Sequence, residues 1–163
     1  QTCALPILPV SGAGGAAAGA LGALLDACPA ALVLANRTSE RAVRLVASHR
    51  AYAQQIAPHT RLEAATLHDF LHLGSFDVIV NATASSLEGE PLHLAPSLLA
   101  PGALVYDMMY GKGESPFMAL ANRAGAHSVD GLGMLVEQAA EAFALWRGVR
   151  LPTAGVLAAL RKS

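Results

Sequence analysis

The sequence predicts an α/β protein: a doubly wound, Rossmann-like parallel sheet of about six strands with helices on both faces. Three observations predict it. Short apolar or β-branched runs alternate with longer helical patterns along all 163 residues, as successive βαβ units do. Hydrophobic residues make up 53% of the chain and charged ones 14%, a balance that suits strands buried on both faces. A glycine cluster also stands where the first strand would hand over to the first helix.

The elements follow in order. A first strand is expected over Leu8 to Ser11, running into Gly12, and the Ala- and Leu-rich stretch to Ala27 reads as a closely packed helix. Ala31 to Ala35 is an unbroken apolar run of strand length, and Ser39 to Gln55 carries helical periodicity behind a Thr38 cap. Arg61 to Ala65 reads as a third short strand, Thr66 to Leu73 as a weak helix, and Phe76 to Asn81 as a clear fourth strand. Leu104 to Asp107 is the fifth strand, Pro116 to Ala124 a helix, and His127 to Val129 the sixth strand. Gly133 to Arg147 is a long helix and Thr153 to Arg161 a last one. In such a sheet ligands bind at the carboxyl ends of the strands, so chemistry is expected just after each strand.

Composition excludes several roles. A net charge of -1 gives no basic field for nucleic acid or an anionic membrane surface. No run approaches the roughly 18 uninterrupted apolar residues of a membrane span. Two cysteines, Cys3 and Cys28, are too few for a disulfide framework and point to the cytoplasm. The opening residues 1–7, Gln1-Thr2-Cys3-Ala4-Leu5-Pro6-Ile7, resemble the translation of a sequencing adapter and are set aside from fold reasoning. Residues 8–163 are then expected to be one dinucleotide-binding domain.

Gly12-Ala13-Gly14-Gly15-Ala16 follows the first strand and opens a helix, so its backbone N–H groups can approach a pyrophosphate. Ala17 replaces the third glycine of the usual spacing. Close packing of the helix on the sheet is the other reading.

At the tip of the second strand, a site for NAD would place an acid on the ribose hydroxyls. Here stand Asn36-Arg37-Thr38-Ser39-Glu40-Arg41 instead. Arg41 three residues past a Thr38 cap faces the positive end of the helix dipole, so an anion is expected nearby. Arg37 and Arg41, with Asn36 and Thr38 as hydrogen-bonding partners, suit the 2′-phosphate of NADP; they also read as ordinary solvated charges.

Asn81-Ala82-Thr83 ends the fourth strand with small polar groups suited to a ribose or nicotinamide, or to a turn. Tyr106-Asp107-Met108-Met109-Tyr110 ends the fifth, where Tyr106 and Met108 equally suit core packing. Asp130-Gly131-Leu132-Gly133-Met134 permits close backbone approach before a helix that carries Met134 and Gln138 on one face. Leu135, Ala139, Phe143 and Trp146 form an apolar stripe on another. His68 and His72 have the i, i+4 spacing of a metal helix but lack the Glu of H-E-x-x-H and a third ligand, so no metal is expected. Cys28 reads as packing a helix end.

The glycine turn, Asn36-Arg37-Thr38, Asn81-Ala82-Thr83, Tyr106-Asp107-Met108 and Asp130 to Val136 come in the order and approximate spacing of the shikimate dehydrogenases, and the chain resembles that family from Leu8 onward. The resemblance implies the C-terminal NADP-binding domain of an oxidoreductase that reduces 3-dehydroshikimate to shikimate reversibly with NADPH, in aromatic amino-acid biosynthesis by way of chorismate. It implies that Gly12, Ala13, Gly14, Gly15 and Ala16 hold the pyrophosphate. Asn36, Arg37, Thr38 and Arg41 would hold the adenosine 2′-phosphate, Asn81, Thr83, Met108, Gly131 and Met134 the rest of the cofactor, and Tyr110 and Gln138 the substrate.

The family's catalytic Lys and Asp lie in an N-terminal substrate domain, so the chain is expected to be a fragment with no catalytic residue of its own. Lys112 and Asp107 belong to a different motif and do not replace that pair. The whole protein is expected to be a cytoplasmic monomer or homodimer acting on a small molecule; a quinate-using relative and a non-catalytic NADP-binding regulatory module are the alternatives. Three positions depart from the family pattern: Pro9 in an expected central strand, Ala18 where relatives carry Arg, and Ala84-Ser85-Ser86.

Overall fold

The computed structural model describes residues 15–82, 94–111 and 113–162, together with the backbone of 4–8. Its elements are β1 (Ala4–Leu8), α1 (Gly15–Asp26), β2 (Ala31–Asn36), α2 (Ser39–Ile56), β3 (Arg61–Thr66), α3 (Leu67–Phe70), β4 (Phe76–Asn81), β5 (Leu99–Asp107), α4 (Pro116–Arg123), β6 (His127–Asp130), α5 (Leu132–Arg147) and α6 (Ala154–Leu160). The six strands are parallel and run in the order β3-β2-β1-β4-β5-β6. Chain order reverses between β1 and β4, so the switch point lies there, as in dinucleotide-binding sheets.

All six residues of β2 are buried, because helices cover both faces. Leu32 and Leu34 join Leu21 and Leu25 of α1 and Val46 of α2 on one side. Val33 and Ala35 join Phe70, Ile79, Val105 and Phe117 on the other. This alternation is the period-2 geometry of a strand, and each fully buried Leu or Phe contributes roughly 1.5–3 kcal/mol. The edge strands β3 and β6 expose alternate residues instead.

Two strands differ from expectation. The first is Ala4–Leu8 rather than Leu8 to Ser11: Ala4 to Ile7 pair with Ala31 to Leu34 of β2, and Ile7 and Leu8 with Val80 and Asn81 of β4. The segment set aside as adapter-like therefore carries the central strand's register. The proline inside this strand is Pro6, opposite Val33, where it has no N–H to donate; Pro9 lies outside the described residues.

The second difference is β5, which starts at Leu99 and not Leu104. Its register against β4 shifts between Phe76 and Val78, and Gly102 takes φ +76 at that irregularity. A Pro-Gly pair commonly ends a strand in a turn, but at Pro101-Gly102 the chain bulges and continues.

Candidate functional site

The carboxyl edge of the sheet gathers the candidate residues in two groups. The first is the tip of β2. Asn36, its last residue, is 2% exposed, and among the described residues its Oδ1 is the one buried side-chain polar atom without a hydrogen-bond partner. An unpaired buried acceptor is costly, so the position suits a donor brought by a ligand.

Arg37 and Thr38 follow it in the open. Thr38 is the N-cap of α2, as expected, but its side chain makes no cap hydrogen bond. Arg41, in the first turn, is exposed. Among the described residues no ion pair holds Arg37 or Arg41. Along the chain an unpaired buried acceptor is thus followed, among the described residues, by two arginines without an ion partner and by an open helix start, a set that suits a phosphorylated sugar.

Gly15 and Ala16 open α1 and are exposed, and no atom stands within 4 Å of where a Cβ on Gly15 would be. Gly12, Ala13, Gly14 and Thr83 lie outside the described residues, as do Lys112 and Ala84 to Ser86. Ala18 is half-buried on α1.

The second group joins β4, β5 and β6. Asp107 is fully buried. Its Oδ1 accepts from Asn81 Nδ2 at 3.1 Å and from the Met109 N–H at 3.1 Å, and its Oδ2 accepts from Ser115 Oγ at 2.6 Å. Ser115 caps α4 in turn, accepting from the Met118 N–H at 3.2 Å. Asn81, 1% exposed, also takes the Met108 N–H on its carbonyl at 2.9 Å.

Gly131, buried at the start of α5, donates its N–H to the Met109 carbonyl at 3.0 Å. Its close approach is to the backbone of Met108, 2.1 Å from a hypothetical Cβ to the Met108 carbonyl oxygen. Met108 is buried, and Met134 packs half-buried against the same core cluster. Burial pushes the Tyr106 phenol above 10.0, helped by the charge of Asp130 and opposed by the Met134 N–H.

Tyr110 and Gln138 are exposed. The apolar stripe of α5 divides: Leu135, Ala139 and Phe143 line an apolar cavity of about 320 Å³ against α6, whereas Trp146 is 81% exposed. Arg161 reaches back to Asp130 at 3.2 Å and Thr153 to Glu137 at 2.6 Å.

The rings of His68 and His72 meet edge to face at 5.1 Å, and no group of three metal-ligating side chains occurs among the described residues. Cys28 is exposed rather than packed, its thiol donating to the Ile56 carbonyl at 3.5 Å. No helix of the described residues is long and apolar enough to cross a membrane. Sequence reasoning missed the link from Asp107 to Ser115, although Ser115-Pro116 carries the signal of a capped helix start with proline in its first turn.

Switch-point topology, with polar groups at the tips of β2, β4 and β5, defines a dinucleotide-type α/β domain. Residues 131–161 match the family model for the shikimate 5'-dehydrogenase C-terminal domain. The chain is 55% identical over 152 residues to the shikimate dehydrogenase (NADP(+)) of Aromatoleum aromaticum, covering 93% of this chain and 53% of that protein. It is 51% identical to that of Dechloromonas aromatica, covering 92% and 52%.

Among solved structures, an Ael1 enzyme from Pseudomonas putida superposes with a TM-score of 0.76 at 42% identity, covering 98% of this chain and 55% of that one. A shikimate dehydrogenase in complex with NADP+ gives 0.75 at 26%, covering 99% and 55%. Over nearly its whole length this chain is similar to shikimate dehydrogenases, and it spans about half the length of the curated relatives it matches.

Proposed function

We propose that this chain is the NADP-binding part of a shikimate dehydrogenase, an oxidoreductase that interconverts 3-dehydroshikimate and shikimate. One observation carries the reading: at the tip of β2, among the described residues, Asn36 Oδ1 is a buried acceptor without a partner and the arginines that follow it, Arg37 and Arg41, have no ion partner. That donor set fits the adenosine end of NADP. Asn36 would accept from a ribose hydroxyl, the two guanidinium groups would hold the 2′-phosphate, and Thr38 would add a hydroxyl. Gly15 and Ala16 would admit the pyrophosphate at the start of α1, together with Gly12, Ala13 and Gly14, which precede them in sequence. Met108, Gly131 and Met134 would bound the nicotinamide end, with Asn81 and Thr83 beside it and Tyr110 and Gln138 toward the substrate.

When bound, the nicotinamide supplies or takes the hydride. The hydride acceptor is a ketone, so the emerging alkoxide needs a proton. The resemblance assigns that step to a Lys and Asp pair in a preceding domain and to none of these residues. The proposal puts the whole protein in the cytoplasm, as a monomer or homodimer acting on a small molecule. The test is a titration of this chain with NADPH, followed by the emission of the reduced nicotinamide, alongside an assay for shikimate oxidation. Saturable binding without turnover is expected; absence of binding, or robust turnover by this chain, contradicts the proposal.

A further inference from the structure

Asp107 is a fully buried carboxylate for which the proposed chemistry has no use, and no cation pairs with it among the described residues. Burying such a group is costly unless its acceptor sites are filled. Here they are filled from three directions: Asn81 at the end of β4, the Met109 N–H in the segment after β5, and Ser115 at the start of α4. The carboxylate therefore ties two strand ends and a helix cap to one point. The segment it holds includes Met108, against whose carbonyl Gly131 is packed, and it leads to Tyr110.

We infer that Asp107 is a positioning residue for the nicotinamide half of the dinucleotide site, acting through hydrogen-bond geometry and not through its charge or a proton. The inference rests on the functional reading above. In a sheet of order β3-β2-β1-β4-β5-β6 the two halves of a dinucleotide lie on either side of the switch point. Arg37 and Arg41, on the β2 side, serve the phosphorylated adenosine; the point fixed by Asp107 serves only the other half. An asparagine at 107 could keep the arrangement. Its Oδ1 can accept from Asn81 and Met109, and its Nδ2 can donate to the Ser115 hydroxyl, which has acceptor capacity to spare. Alanine can do neither.

The experiment measures the affinity of the chain and its Asp107→Ala, Asp107→Asn and Ser115→Ala variants for two probes. NADPH spans both halves of the site, and adenosine 2′,5′-bisphosphate occupies only the adenosine half. Asp107→Ala is expected to weaken NADPH roughly tenfold, about what one well-made buried hydrogen bond is worth. The bisphosphate should stay within about twofold, and Asp107→Asn should regain most of the NADPH affinity. Ser115→Ala, which removes one of the three donors without touching the carboxylate, should show the same selective loss in smaller measure and keeps the test open if Asp107→Ala fails to fold. Equal losses for both probes, or an Asp107→Asn variant as weak as Asp107→Ala, overturn the inference. A wild-type chain that binds the bisphosphate but not NADPH overturns it while sparing the β2 site; one that binds neither overturns the functional reading and this inference with it.

Discussion

Gly131 sits so close to Met108 that a Cβ on it would lie 2.1 Å from the Met108 carbonyl oxygen and 2.6 Å from its carbonyl carbon. The φ of Gly131 is -77°, which any residue adopts, so the demand for glycine is purely steric. The neighbour is backbone held by the Asn81 carbonyl and cannot swing aside as a side chain would.

Gly131→Ala is therefore expected to force the start of α5 away from β5 and to cost about 1–3 kcal/mol, as overpacking typically does. Chemical denaturation of the two proteins checks this. Equal stability would mean that the contact gives way without cost.

Alkaline pH should destabilise the fold partly through Tyr106. Burial raises its folded-state pKa above 10.0, so the neutral phenol is favoured in the folded protein. That contribution is fully present below the unfolded value and is lost as pH rises through the folded one. Tyr52, hydrogen-bonded to Asp26 at 2.7 Å, is raised as well and acts in the same direction. Tyr106→Phe should make the fall in melting temperature above pH about 10 shallower; an unchanged alkaline limb would contradict the assignment.

No residue of α6 is buried. The helix is tied to the rest by contacts at the rim of the α5 cavity and by polar links such as Arg161 to Asp130. Exposed pairs of this kind contribute little. Its amides should exchange with solvent by local opening, well ahead of those in β2 and β5. Mass-spectrometric exchange that finds α6 as protected as β2 would contradict this.

Much of the architecture was legible because burial on both faces writes itself as unbroken apolar runs. Ala31 to Ala35 and Phe76 to Asn81 sit within a residue of their observed bounds. Misplacements arose where local chemistry misleads. Residues 4–7 resemble adapter sequence, yet they form most of β1, and the Gly102 bulge hides the first half of β5. At the site, Arg37 and Arg41 were legible as charges lacking an expected acid. The hold of Asp107 on Asn81 and Ser115 was not, because it joins three elements that only the sheet brings together. Gly131 was legible as a point of close backbone approach, but the sequence does not say that the backbone it meets is that of Met108. Trp146 lies at the carboxyl end of α5 and is 81% exposed, which makes it a poor reporter of ligand binding at the sheet edge.

Recognition of an extra phosphate at the β2 tip can be read from the ratio of NADPH to NADH affinity, followed by the emission of the bound nicotinamide. The wild-type chain is expected to favour NADPH, and Arg37→Ala to weaken NADPH by roughly 10-fold to 100-fold, the range expected for a charge-assisted hydrogen bond, while leaving NADH nearly unchanged. Equal affinities for the two dinucleotides in the wild-type chain, or an Arg37→Ala variant that loses both alike, would contradict it.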